Sequence, residues 1–197
     1  MSFEILGVRI KVSFLLIVLL TLFSLYDKSG FMLLAVSAAL IHEFGHIVSA
    51  EISGCGVKEL SFMPFGIKMI LKTPLSLVDT KRKLLVLSAG CAVNFVIFVL
   101  FWMFCAKQAA LIHLATGLFN LLPAGTLDGG RILQELLSLR CEETKAQRIA
   151  DAVSLVSAAV LFVLGALMLV YSGYNISLLI TSIYLTITVI VRQKKLN

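Results

Sequence analysis

The chain has 197 residues, 59% of them apolar and only 14% charged, and its mean hydropathy is +1.01. A soluble domain carries about 25% charged residues, and a fold of this size cannot hide so much apolar surface, so a water-soluble enzyme is excluded. The four cysteines form no Cys-x-x-Cys pair, which argues against a zinc knuckle or a disulfide framework, and the net charge of +6 needs placing before it means anything.

Six apolar segments follow in chain order, near 10–26, 31–53, 84–106, 109–127, 152–171 and 176–191. Most approach the roughly 20 residues that cross a hydrocarbon core of about 30 Å. The expected fold is therefore an all-α polytopic membrane protein of about six transmembrane helices, one domain over residues 1–197 with no appended soluble domain. Fifteen of the 17 basic residues fall before the first segment, between the second and third, between the fourth and fifth, or after the last. Only Lys28 and Lys107 lie on the other side. Cytoplasmic loops collect Lys and Arg, so both termini are expected in the cytoplasm and no nucleic acid is expected as a partner.

The second segment contains His42-Glu43-Phe44-Gly45-His46. Helix positions four apart share a face, so both imidazoles can grip one metal ion, and Glu43 sits about 100° round, able to reach a water without being a ligand. Ionisable groups at depth in a membrane helix each cost on the order of 2.5–3.5 kcal/mol, and three in five residues call for a compensating interaction. A structural polar cluster is the alternative. From His46 to Ser53 is seven residues, or about 10 Å of helix, which puts the metal on the cytoplasmic side of the midplane.

Between the second and third segments, Leu60, Phe62, Ile67, Met69 and Leu71 alternate with Glu59, Ser61, Lys68, Ile70 and Lys72 around Met63-Pro64-Phe65-Gly66. This predicts a small β-hairpin on the cytoplasmic side, whose free edge could take an unwound substrate as an added strand. The fourth segment ends in Asn120-Leu121-Leu122-Pro123-Ala124-Gly125-Thr126-Leu127-Asp128-Gly129-Gly130. Proline and glycines break the helix there, and broken backbone at membrane depth belongs where it is buried in protein or lines a cavity. A catalytic zinc keeps three protein ligands and one open position, and Asp128 is the best candidate for the third. Taken alone, Asp-Gly-Gly is ordinary turn chemistry. His113 is placed toward the opposite face from the metal and reads as a satisfied or interfacial histidine, and Glu51 as an interfacial one.

These motifs resemble those of the site-2 proteases, intramembrane zinc metalloproteases, and within them most of all the stage IV sporulation protein FB group. His42, Glu43 and His46 match the family's zinc helix. Asn120, Pro123, Asp128 and Gly129 match its Asn-x-x-Pro-x-x-x-x-Asp-Gly motif. Ala89-Gly90-Cys91-Ala92-Val93-Asn94 is similar to its glycine-containing motif, with Cys91 where proline is common. Members of that group often carry a nucleotide-sensing domain after the last apolar segment; none is expected here, so energy sensing is not carried over. The resemblance implies one Zn2+ per chain held by His42, His46 and Asp128, and peptide-bond hydrolysis with Glu43 as the base. Asn120 would be a catalytic oxyanion donor, or else make an interhelical hydrogen bond that positions its segment. It implies a bacterial cell membrane, a membrane-embedded or membrane-tethered substrate such as a pro-sigma or anti-sigma factor, and inhibitory membrane proteins as further partners beside the lipid bilayer. Two rivals stay open: an inactive scaffold of the same fold, and a divalent-metal transporter.

Overall fold

The computed structural model describes residues 2–5, 7–63, 66–125, 127–173 and 176–194. Among them lie seven helices and a four-stranded sheet, arranged as two compact units, Met1–Leu118 and Phe119–Asn197.

The first unit opens with strands β1 (Ser2–Ile5) and β2 (Val8–Val12), paired antiparallel. Helix α1 (Phe14–Tyr26) and helix α2 (Phe31–Ile52) follow, then β3 (Val57–Met63), β4 (Gly66–Leu71) and a short 3-10 turn at Leu75–Leu77. Helix α3 (Thr80–Met103) and most of α4 (Lys107–Asn120) complete it. The sheet order is β1-β2-β3-β4, with β2 parallel to β3 and β4 antiparallel to it.

The strand pair expected after the second apolar segment is present, with Leu60 opposite Met69 and Phe62 opposite Ile67. Pro64 and Phe65 of its expected turn lie outside the described residues. It is not a lone hairpin. Val8, Arg9, Ile10, Lys11 and Val12 alternate half-buried with exposed, which is the period of a strand. Arg9 and Lys11 had the look of charged flanks to a membrane span, yet they are the outward positions of β2. Lys11 reaches Glu59 on the neighbouring strand (Nζ to Oε1 2.7 Å), and that bond, with a second from Ser61 Oγ, holds the Glu59 carboxyl below its ordinary value.

The expectation of about six transmembrane helices is also corrected. Among the described residues three helices are long and apolar enough to cross a membrane: Phe31–Ile52, Thr80–Met103 and Glu143–Ser172. The first apolar segment gives up its start to β2, leaving a 13-residue α1 of about 20 Å. The fourth stops at Asn120, where the proline-containing loop takes over, and the last offers a short apolar stretch, Leu178–Val191. Many large apolar side chains on the three long helices are exposed, among them Leu33, Ile52, Val96, Leu167 and Val170. Outward apolar surface on long helices is the mark of an integral membrane protein, whose solvent there is lipid.

A core of Ala50, Cys55, Val57, Leu60 and Val86 joins the sheet to the ends of α2 and α3. Gly54 and Gly56 have positive φ in the turn between α2 and β3. Glu51 is not merely interfacial: its Oε1 accepts the Val57 N–H at 2.7 Å and fixes the start of β3.

The second unit begins at the end of α4 and contains α5 (Asp128–Ser138), α6 (Glu143–Ser172) and α7 (Ser177–Lys194). Ala124, Ala158, Leu161 and Leu185 form its core.

Candidate metal centre

Helix α2 carries the two histidines of the His-x-x-x-His pattern on one buried face, His42 at 3% exposure and His46 at 6%. Their Nε2 atoms are 3.2 Å apart. The close approach of α3 makes this face an interior one. A Cβ on Gly45 would stand 2.9 Å from the Ala89 carbonyl oxygen, so only glycine lets the two helices meet here. One residue further along α3, a Cβ on Gly90 would overlap His46 Nε2 and lie 2.7 Å from His42 Nε2. Gly90 is thus a notch in front of both nitrogens.

The outer nitrogens of both rings are held. His46 Nδ1 is 2.7 Å from the Val86 carbonyl oxygen. A carbonyl only accepts, so Nδ1 carries the proton and the neutral ring presents a lone pair at Nε2. His42 Nδ1 is 3.2 Å from the side-chain amide of Asn94 on α3, and the other end of that amide is 2.9 Å from His113 Nδ1 on α4. Asn94 and His113 are both buried. His113 is therefore satisfied, as expected, but it does not turn away from the α2 histidines: it joins His42 through one intervening side chain. Gly117, one helical turn on, lets α4 approach Asn94 and Phe95 closely enough for this. Cys91, also buried, has its Sγ within 4.8 Å of a ring nitrogen of His42. Glu43 is half-buried beside His42 on α2.

In the second unit, α4 ends at Asn120, which is half-buried, and α5 starts at Asp128, which is buried. The break expected from Pro123 and Gly125 is where the helices part. Ser154 on α6 accepts the Gly125 N–H at 2.8 Å while donating to the Ala150 carbonyl, and the Ser157 hydroxyl lies 3.3 Å from the Pro123 carbonyl oxygen. Gly129 and Gly130 press directly on the Leu121–Gly125 backbone, where a Cβ on either would collide with main-chain atoms. Asp128 then sits in the first turn of α5, where the helix dipole favours a carboxylate. The Asp-Gly-Gly sequence is a packing requirement of this loop.

Two buried imidazoles facing each other across a side-chain-free notch, with the buried Cys91 thiol beside them, suit a borderline-soft divalent ion. Zinc fits this donor set. Sequence reasoning quoted Asn94 without giving it a role and passed over Cys91 as a donor. The available signal was polarity, because an asparagine deep in an apolar helix needs a partner.

Three comparisons bear on the family. The model of peptidase family M50 matches residues 104–164. A zinc metalloprotease of Methanocaldococcus jannaschii is 28% identical over 203 aligned positions, covering 92% of this chain and 57% of that protein. Rip3 of Mycobacterium tuberculosis, itself only provisionally named a zinc metalloprotease, is 29% identical over 164 positions, covering 74% of this chain and 40% of that one. The chain thus spans about half the length of the curated relatives it matches. Among solved structures, a site-2 protease from Methanocaldococcus jannaschii has the same fold, with a TM-score of 0.69 and 24% identity over 96% of this chain and 94% of that one.

Proposed function

We propose that the chain is a member of peptidase family M50, whose model matches residues 104–164, and that it is an intramembrane zinc metalloendopeptidase that cuts a membrane-embedded or membrane-tethered protein. The observation that carries this reading is the pair of buried Nε2 atoms 3.2 Å apart behind the Gly90 notch.

In this reading His42, His46 and Asp128 are the ligands of one zinc. Cys91 lines the site without binding, since hydrolysis needs an open coordination position. Zinc, when bound, supplies the Lewis acidity that activates water and polarises the scissile carbonyl. Glu43 takes the proton of the attacking water and delivers it to the leaving amide nitrogen. The Asn120 side-chain amide donates a hydrogen bond to the oxyanion as the carbonyl carbon becomes tetrahedral. A helical substrate hides its peptide groups in its own hydrogen bonds, so the segment to be cut must unwind. The β4 edge of the sheet offers it replacement partners by strand addition.

The sheet is assigned to the cytoplasmic face by Lys58, Lys68, Lys72 and the Lys81-Arg82-Lys83 run. Pairing with β3 keeps Arg9 and Lys11 of β2 on that same face. The substrate class is a membrane-tethered regulator, such as a pro-sigma or anti-sigma factor. The resemblance of Met63-Pro64-Phe65-Gly66 to the turn after the zinc helix in the stage IV sporulation protein FB group is what favours a sporulation context.

The test uses purified full-length chain in detergent. Glu43→Gln should keep about one zinc per chain and lose proteolysis, because Gln stays polar but accepts no proton. Asp128→Ala should lose both, and Cys91→Ala neither. Proteolysis by Glu43→Gln, or full zinc in Asp128→Ala, would overturn these roles.

A further inference from the structure

We propose that Asn94 and His113 are positioning residues that decide which nitrogen of His42 is offered to the metal, the Asn94 amide acting as a tautomer selector. This rests on the zinc-site reading above and adds to it a device that neither the zinc helix nor the Asp128 loop contains.

One chain of contacts links the three histidines through Asn94. It runs from His113 Nδ1 to the Asn94 amide (2.9 Å), from the other end of that amide to His42 Nδ1 (3.2 Å), and from His42 Nε2 to His46 Nε2 (3.2 Å). It ends with His46 Nδ1 on the Val86 carbonyl (2.7 Å). The last bond has a fixed direction, with His46 the donor. The others do not, because a half-turn of the Asn94 amide exchanges its oxygen and nitrogen.

With the amide nitrogen toward His42, every donor points the same way. His113 Nδ1–H donates to Asn94 Oδ1, Asn94 Nδ2–H to His42 Nδ1, and His42 Nε2–H to His46 Nε2. In that arrangement a proton stands on the His42 nitrogen that faces the notch, and His42 cannot ligate there. With the amide turned, His42 Nδ1–H donates to Asn94 Oδ1 and Asn94 Nδ2–H donates to His113 Nδ1. Both Nε2 lone pairs then face the same point.

The residue types are the ones such a selector needs. An asparagine amide has a donor at one end and an acceptor at the other, and a neutral imidazole nitrogen can be either. All members are buried, so water does not stand in for a missing partner. An outer hydrogen bond that fixes the tautomer of a metal-binding histidine commonly changes metal affinity 10- to 100-fold.

The experiment is 15N NMR of histidine-labelled full-length chain in detergent, before and after addition of zinc chloride to chelator-stripped protein. The chain has 3 histidines, so each ring can be assigned by single substitution. Zinc should move His42 to the Nδ1–H form. It should also convert His113 from the Nδ1–H to the Nε2–H form, though His113 touches no proposed ligand. In chelator competition, Asn94→Leu should bind zinc about 10- to 100-fold more weakly. Asn94→Asp, which accepts at both ends and so holds His42 in the Nδ1–H form, should bind at least as tightly as wild type. Zinc uptake with no change at His113, or Asn94→Leu binding as tightly as wild type, would overturn the proposal alone. Wild-type chain that takes up no zinc would overturn the metalloprotease reading beneath it.

Discussion

A methyl group at residue 90 would overlap His46 Nε2 and stand 2.7 Å from His42 Nε2. Gly90→Ala should therefore weaken zinc binding about 10- to 100-fold, the range seen when a ligand's orientation is disturbed, while circular dichroism shows unchanged helix content. Unchanged affinity would mean that the two imidazoles do not converge on this notch. That His42 and His46 share one buried face was legible in the sequence because they lie on one helix, where spacing alone fixes the face. Asn94 and His113 were not legible in the same way. Their meeting depends on how α3 and α4 are rotated about their own axes, and that is set by Gly117, a small residue whose importance appears only when a neighbour's ring is seen against it.

Strand β4 is where element-level reasoning has the most to say about substrate. It is the last strand of the sheet order, and Ile70 on it is exposed. A photo-crosslinking phenylalanine analogue in place of Ile70 should capture the unwound segment of a membrane substrate in the Glu43→Gln background. The same analogue in place of Phe3 on β1, the strand at the opposite end of the sheet order, should not. Capture from β1 alone would remove strand addition at β4. The β3–β4 pair could be read from its alternation, whereas β1–β2 could not: five residues holding two basic ones look the same before a membrane helix as on the outer face of a strand. The over-count of spans has the same root. Hydropathy registers apolar residues without asking whether the first few are already strand, or whether a proline ends the helix at its fourteenth residue, as at Asn120. The broken loop before Asp128 was legible from Pro123 and the glycines. Its fastening by Ser154 and Ser157 was not, since serines in an apolar helix ordinarily bond back to their own carbonyls.

For the molecule as a whole, α3 is the measuring rod. Its 24 residues span about 36 Å, with Lys81-Arg82-Lys83 at one end and the exposed Cys105 just past the other. A membrane-impermeant maleimide applied to intact cells should label Cys105. A Lys68→Cys variant in a Cys105→Ser background should react only after permeabilisation. Labelling of both from one side would show that α3 does not cross. The parallel pairing of β2 with β3 also bears on how the chain is made. Val12 leaves the ribosome some 45 residues ahead of Val57, a delay on the order of seconds at ordinary rates of synthesis. Throughout that interval α1 and α2 are being made while the amino-terminal strands still wait for β3. The sheet is therefore the last part of the first unit's beginning to close, and anything that draws residues 2–12 away during translation leaves β3 with an unpaired edge.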